Sequence, residues 1–381
     1  MKDNEKFLDD ILRRIVQEIS ITQTMTTKAV NSYEAVGKWI GEGIKYEVNI
    51  NPQGSMSLGT TNRPISDKDD YDIDLVCLLK DGSYLTAQQI KNVVGNRLKE
   101  HDHYRKKILE EGEGKRCWKM KYDEFHMDIL PCVPKGLYLE PILTDIRLTH
   151  KNENQKYEDR FSNPVGYRKW FEERMGNILQ EEKRNYALQN KVEIEDVPNY
   201  RVKTPLQMVI QLLKRHRDIC FEKDPDNAPI SIIITTLAAE AYRGEASIYK
   251  ALSHVLSHMT DYITVKNGVY WVKNPVMSQE NFADKWIEFP ERKIAFENWL
   301  QKAKKELIND PLEVLGIDQI QKCYAKSLGE APVNRAIKAM GYDMHQSSDN
   351  NHLYSSGLNT GLTNSAASGS KQIKRHTFFG Q

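Results

Sequence analysis

Tyr71-Asp72-Ile73-Asp74-Leu75-Val76-Cys77-Leu78-Leu79 is the stretch whose reading decides the fold. Ile73, Leu75 and Cys77 alternate with Asp72, Asp74 and Val76, the period-two pattern of a strand with one face in a core. Residues i and i+2 of a strand share a face, so Asp72 and Asp74 project together while Ile73 and Leu75 point inward. Carboxylates so close repel each other unless a cation sits between them. Working outward, Trp118-Lys119-Met120-Lys121-Tyr122 and Phe125-His126-Met127-Asp128-Ile129-Leu130 read as two more strands joined at Asp123-Glu124. If Asp128 comes from the neighbouring strand, three hard oxygen ligands converge, which suits Mg²⁺ or Mn²⁺. Upstream, Gly54-Ser55 is a small turn whose backbone N–H groups and hydroxyl can approach triphosphate oxygens. Together these features describe a metal-dependent phosphoryl-transfer site, with acids for two ions and a turn for phosphate.

The chain of 381 residues carries 54 Lys+Arg against 53 Asp+Glu and 39% hydrophobic residues. That balance excludes membrane and fibrous classes and argues against a protein that coats long nucleic acid. Cys77, Cys117, Cys132, Cys220 and Cys323 are scattered without a CxxC pair, as in a reduced, cytoplasmic chain. The N-terminus lacks the apolar core of a signal peptide.

Phe7, Leu8, Ile11, Leu12, Ile15 and Ile19 predict an amphipathic helix from Asn4 to about Thr24, and a second helix is expected over Val30 to Ile44. The second half reads as helical: Pro164 to Asn190, Thr204-capped Pro205 to about Phe221, and Ser231 to Gly244. Asn267-Gly268 marks a type I′ hairpin between Ile263 and Val272, and helices are expected from Ser278 to Ala339, broken at Pro290 and Pro311. After Asp343 the Ser, Asn and Gly content predicts a disordered tail. The expected class is α+β, with a core over 1–160, a helical lobe over 161–342 and a tail over 343–381.

The motifs Gln53-Gly54-Ser55-Met56-Ser57-Leu58-Gly59-Thr60-Thr61, Asp72-Ile73-Asp74-Leu75-Val76 and His126-Met127-Asp128-Ile129-Leu130-Pro131 resemble the polymerase-β-type nucleotidyltransferases. Within them the chain is similar to the bacterial cGAS/DncV-like enzymes, the signalling cyclases of CBASS antiphage systems, over roughly residues 5 to 340. The resemblance implies a catalytic mixed sheet, a helical second lobe, and nucleotides bound between them. It implies that Gly54 and Ser55 grip the triphosphate, that Asp72, Asp74 and Asp128 bind two Mg²⁺, with Mn²⁺ able to substitute, and that Lys214 and Ser231 touch phosphates. Arg215 or Lys203 are the alternatives to Lys214. It further implies ATP or GTP as substrates, no obligate long nucleic acid, and a cyclic oligonucleotide product, with a preference for an adenine-containing cyclic trinucleotide. A linear or tRNA-tailing transferase and a non-catalytic nucleotide-binding module are the rival readings. The Phe378-Phe379-Gly380-Gln381 end could join a conjugating or regulatory partner, or have no task.

Other groups carry blander readings. His126 shares the face of Asp128, but the acids already supply enough oxygens, so it is set outside the site. Lys214-Arg215-His216-Arg217 reads as a phosphate contact or a solvated helix face. Trp118, Trp271, Trp286 and Trp299 read as core, and Arg105-Lys106-Lys107 as a mixed-charge surface.

Overall fold

A computed structural model of the chain describes residues 3–66, 70–136, 144–191, 193 and 202–349, with three two-residue strands at Tyr354–Ser355, Leu362–Thr363 and Lys371–Gln372. Contacts divide the chain into two compact units. One comprises Met1–Ser20, Thr204–Val272 and Asn281–Gln381; the other comprises Ile21–Lys203 and Lys273–Glu280. Helix α1 (Asp3–Ile19) thus belongs to the helical unit, and Pro164–Asn190 to the sheet unit, where a division at residue 160 would have separated them the other way.

The sheet unit runs α2 (Gln23–Gly43), β1 (Val48–Pro52), the single turn α3 (Gly54–Ser57), β2 (Tyr71–Leu79), α4 (Ala87–Lys99), α5 (Asp102–Glu111), β3 (Trp118–Lys121), β4 (Phe125–Pro134), β5 (Ile146–Lys151), β6 (Tyr157–Ser162) and α6 (Pro164–Asn190). The expected first helix stops at Ile19, because Thr22 caps a new one: its hydroxyl accepts from the Met25 N–H. The strands form a mixed sheet ordered β1-β2-β4-β5-β6, with β3 also on β4. The parallel β2–β4 pair is the centre, and the chain between them makes the crossover through α4 and α5. Strand β4 extends to Pro134, past the expected Leu130; its first half pairs with β3 and its second half with β5.

One face of the sheet is buried. Ile73, Leu75 and Cys77 of β2 and Met127 and Ile129 of β4 pack with Ile90, Val94 and Leu98 of α4 and Val36 and Ile40 of α2. The opposite face changes character along the strands. Toward their C-terminal ends Val76 and Cys132 pack with Ile146 and Leu148 of β5, whereas toward the N-terminal ends the same face carries Asp72, Asp74 and Asp128.

In the helical unit α1 packs against α7 (Pro205–Cys220), which is followed by α8 (Ser231–Ala241) and α9 (Ile248–His258). Leu8, Ile11, Leu12, Ile15 and Ile19 are all buried, as their spacing predicts. Asp9 caps the start of α9, accepting from the Ser247 hydroxyl at 2.8 Å and the Tyr249 N–H at 2.9 Å. The predicted hairpin is present as β7 (Thr264–Lys266) and β8 (Val269–Trp271), with Asn267 at φ 51° and Gly268 at φ 78°.

No long helix starts at Ser278. The Asn281 side chain accepts from the Val272 and Ala283 N–H groups and holds the chain in turns, so regular helix begins only at Pro290. From there α10 (Pro290–Lys304) continues through a π-helical stretch, Lys305–Asn309, into α11 (Asp310–Glu313). Pro311 therefore sits within a helical run, and the break falls at Gly316, φ 84°. Helices α12 (Ile317–Leu328) and α13 (Glu330–Asp349) complete the unit. The expected tail thus starts later than Asp343, and most of it, including Phe378 to Gln381, lies outside the described residues. Trp118, Trp286 and Trp299 are buried as expected, but Trp271 is half-buried, with the Lys266 ammonium 4.1 Å from its ring centre. No helix among the described residues is long and apolar enough to cross a membrane.

Candidate active site

Strand register brings the acids together. Asp74 is the direct partner of Asp128 in the parallel β2–β4 ladder, and Asp72 pairs with His126 one step earlier on the same face. Neighbouring strands lie about 4.8 Å apart, so the three carboxylates crowd one patch of the sheet. Asp72 is exposed and Asp74 and Asp128 are half-buried, while the flanking Tyr71, Ile73 and Leu75 are buried. Three carboxylates gathered on one partly solvated face, all hard oxygen donors, fit a divalent ion that keeps some of its waters. His126 faces elsewhere in its chemistry: its Nε2 pairs with Asp70 Oδ2 at 2.8 Å.

The Gly-Ser turn is fastened to the same acids. The Gln53 N–H donates to the Asp74 carbonyl at 2.8 Å, so the end of β1 delivers Gly54 directly beside Asp74. Gly54 has φ 59°, and a Cβ there would lie 2.6 Å from Asp74 Oδ2. Only glycine meets both conditions. Ser55 follows in α3, where its hydroxyl accepts from Thr61 Oγ1 at 3.1 Å and its carbonyl accepts from the Thr60 N–H at 2.9 Å. The loop returning through Gly59 to Thr61 therefore closes onto the Ser55 end of the turn.

Behind Asp128 stands a group that sequence spacing does not reveal. The Cys117 thiol donates to Asp128 Oδ2 at 3.2 Å. Burial, and then the neighbouring Asp128 charge, push this thiol up to about 12. The segment that carries it is held from below by Lys91 of α4, fully buried, whose ammonium donates to the Gly114 carbonyl at 2.8 Å and the Cys117 carbonyl at 2.7 Å. Burial lowers the Lys91 pKa to about 8, with Glu113 pulling the other way.

A cavity of about 440 Å³ opens next to the turn. Met56, Ser57, Gly59 and Thr61 form one wall, Tyr33 of α2 another, and Arg168, Glu172 and Lys203 supply charge of both signs. Its size lies within the range of small-molecule sites.

Lys214 and Ser231 lie in the helical unit, on α7 and at the start of α8. Lys214, Arg215 and His216 are buried, so the solvated-face reading of this run does not hold. The Ser231 hydroxyl accepts from Arg217 Nη1 at 3.2 Å, and the same nitrogen donates to the Pro229 carbonyl.

Close by in that unit, His216, Cys220 and Glu306 place ligand-type atoms within 4.8 Å of one another. The hydrogen bonds argue against a metal there. The Trp299 indole N–H donates to His216 Nδ1 at 3.1 Å, which leaves the proton on Nε2 to donate to Glu306 Oε2 at 3.1 Å. An imidazole so engaged has no lone pair to offer. His216 and the Lys302 and Lys326 charges hold Glu306 down at about 2, against the opposing effect of burial. A depressed carboxyl stabilises the fold above its ordinary value of 4.5 and loses that contribution as pH falls toward about 2. The thermal midpoint of the wild type is therefore expected to fall across that window, and that of Glu306→Gln to fall less steeply; parallel curves would refute the assignment.

Comparison with known proteins places these features in context. The family model described as Cyclic GMP-AMP synthase DncV-like, nucleotidyltransferase domain, matches residues 48–131, which hold Gly54, Ser55 and all three acids. A c-di-GMP synthase of Roseivirga ehrenbergii is 31% identical over 98% of this chain and 97% of its own. The cyclic dinucleotide synthase CdnG of Bradyrhizobium diazoefficiens is 23% identical over 87% of this chain and 83% of its own. The solved structure of the Bradyrhizobium diazoefficiens CD-NTase CdnG in complex with GTP shares the fold, with a TM-score of 0.69 at 22% identity, covering 88% of this chain and 99% of that one.

Proposed function

The chain belongs to the DncV-like CD-NTase nucleotidyltransferases, and from that membership we propose that it joins two guanine nucleotides into a cyclic dinucleotide with release of pyrophosphate. The observation that carries the reading is the convergence of Asp72, Asp74 and Asp128 beside a glycine turn whose close approach to Asp74 no other residue allows. Full-length similarity to a c-di-GMP synthase supports guanine and a two-unit ring. An adenine-containing trinucleotide, the sequence expectation, draws no support from either relative, both named for dinucleotide products.

In this reading Asp72, Asp74 and Asp128 would hold two divalent ions, Mg²⁺ or Mn²⁺. When bound, such ions lower the pKa of an attacking hydroxyl and stabilise the leaving oxygen. The protein's share is position. Gly54 and Ser55 offer N–H groups and a hydroxyl to the phosphates, and the fastening of Gln53 to Asp74 fixes the turn against the acids. The cavity beside the turn, with Arg168, Glu172 and Lys203, would take the nucleoside part of a substrate. The resemblance alone carries Lys214 and Ser231 as phosphate contacts, and a place in antiphage signalling with a tail-directed partner rests on it too.

Base choice is tested by supplying the purified chain and Mg²⁺ with GTP alone, ATP alone, and all four NTPs. The expected result is product from GTP alone with the same composition as from the full mixture. Product only when ATP is present would overturn the guanine assignment and restore an adenine-containing messenger.

A further inference from the structure

We propose that Cys117 is a positioning residue for Asp128, and that buried Lys91 sets the Cys117 backbone so that the thiol reaches Oδ2. The inference rests on the reading of Asp128 as an acid that holds a metal ion.

Three observations converge on it. The thiol lies 3.2 Å from Asp128 Oδ2, as a donor to one oxygen of a half-buried carboxylate. An ordinary thiol is protonated at neutral pH and can donate without any special tuning. The turn that presents it is closed by a hydrogen bond from the Gly114 N–H to the Cys117 carbonyl at 3.1 Å, and a Cβ on Gly114 would lie 2.6 Å from Cys117 Sγ. Gly114 is therefore needed for the sulfur to occupy this place. Finally, Lys91 spends a fully buried ammonium on the carbonyls of Gly114 and Cys117, and its helix is locked to the next strand by the Trp118 indole N–H donating to the Lys91 carbonyl at 3.0 Å. Burying a lysine is costly, and here it serves to tie down one short turn.

The consequence is geometric. A carboxylate with two equivalent oxygens can rotate about its terminal torsion, which is broad and roughly two-fold. A thiol held on Oδ2 restrains that torsion, so that in this proposal Oδ1 is presented to an ion in one orientation. A fixed ligand binds an ion more tightly than a rotating one, because less freedom is lost on binding. Sulfur is a weak donor, so a hydroxyl at the same place can substitute, whereas a methyl cannot.

The test compares wild type, Cys117→Ser and Cys117→Ala as full chains. Mn²⁺ affinity is followed by the signal of free Mn²⁺ in electron paramagnetic resonance, alongside kcat, KM for GTP and the thermal midpoint. Loss of a hydrogen bond to a charged group predicts about a tenfold weaker Mn²⁺ affinity and a similar fall in kcat for Cys117→Ala, with KM for GTP within about twofold of wild type. Cys117→Ser is expected to keep both within about threefold. Equal values for wild type and Cys117→Ala would overturn the proposal, since the thiol would then be idle. Equal losses in Cys117→Ser and Cys117→Ala would also overturn it, by showing that volume and not donation matters. A wild-type chain that binds no Mn²⁺ and makes no product would instead count against the metal-site reading itself, and the two failures are thereby separate.

Discussion

Replacing Asp72 and Asp74 together by Asn is expected to remove at least about 10³-fold of the proposed nucleotidyl-transfer rate, because the divalent ions that these two carboxylates on one face of β2 would hold are worth several kcal/mol of charge stabilisation at the reacting phosphate. The fold should survive. Both side chains lie on the partly solvated face, opposite the core built on Ile73 and Leu75. The variant is thus expected to unfold within a few degrees of wild type without metal, and to lose the upward shift expected of the wild type with Mg²⁺ or Mn²⁺. Thermal scans with and without metal check both statements. A variant that kept its full transfer rate would show that these two carboxylates do not hold the catalytic ions, and a wild type with no transfer would return the chain to the class of non-catalytic nucleotide-binding modules.

Gly54→Ala is expected to have the second-largest effect. The added methyl meets Asp74 Oδ2 at 2.6 Å while the backbone stays at φ 59°, so two penalties act together. The left-handed backbone alone costs about 1 to 2 kcal/mol for a residue with a Cβ. Displacing the turn or rotating Asp74 by about an ångström is worth roughly 10²-fold in rate. Gly268→Ala separates the terms, since Gly268 has φ 78° in the β7–β8 hairpin and open space where a Cβ would stand. Both variants should lose the backbone contribution by thermal or urea unfolding, Gly54→Ala more because of its clash with Asp74, and only Gly54→Ala should lose activity. Equal activity in the two would mean that the close approach to Asp74 is without catalytic consequence.

The central strand was legible because its two faces differ so sharply in chemistry. Ile73, Leu75 and Cys77 are buried and Asp72 and Asp74 are not, which is what the alternation predicted. Strand β1 was not legible: Val48–Pro52 is half-buried throughout, so it has no alternating pattern, and its place comes from pairing, Asn51 with Val76 and Pro52 with Leu75. Strand β6 is similar, with Glu158, Asp159 and Arg160 forming an edge that only β5 defines. Helix α4 did carry a local signal, the Thr86–Gln89 capping box, that could have announced it. The helix expected from Ser278 failed because Asn281 bonds to nearby backbone N–H groups, a local competition that apolar spacing does not register.

At the candidate site, Gly54, Ser55 and the three acids stand out in the sequence as a motif, and the fold brings them together, but the packing around two of them could not be read there. The need for glycine depends on where Asp74 Oδ2 lies, and the partner of Asp128 is a cysteine on a turn held by a lysine from another helix. Such relations are made by tertiary packing and leave no periodic trace. The helical-unit basic run shows the opposite limit. Its charge suggested solvent or phosphate, yet Lys214, Arg215 and His216 are enclosed, and His216 is committed to Trp299 and Glu306.

The most direct test is to incubate the chain with α-labelled GTP and Mg²⁺, treat the mixture with phosphatase, and resolve the surviving label beside the Asp72→Asn, Asp74→Asn control. The account predicts a phosphatase-resistant product, absent from the control, whose mass is that of two joined GMP units with no free phosphate end. A wild-type product that phosphatase degrades to a linear dinucleoside would contradict ring closure, and label released entirely from unreacted GTP would contradict catalysis by these three acids.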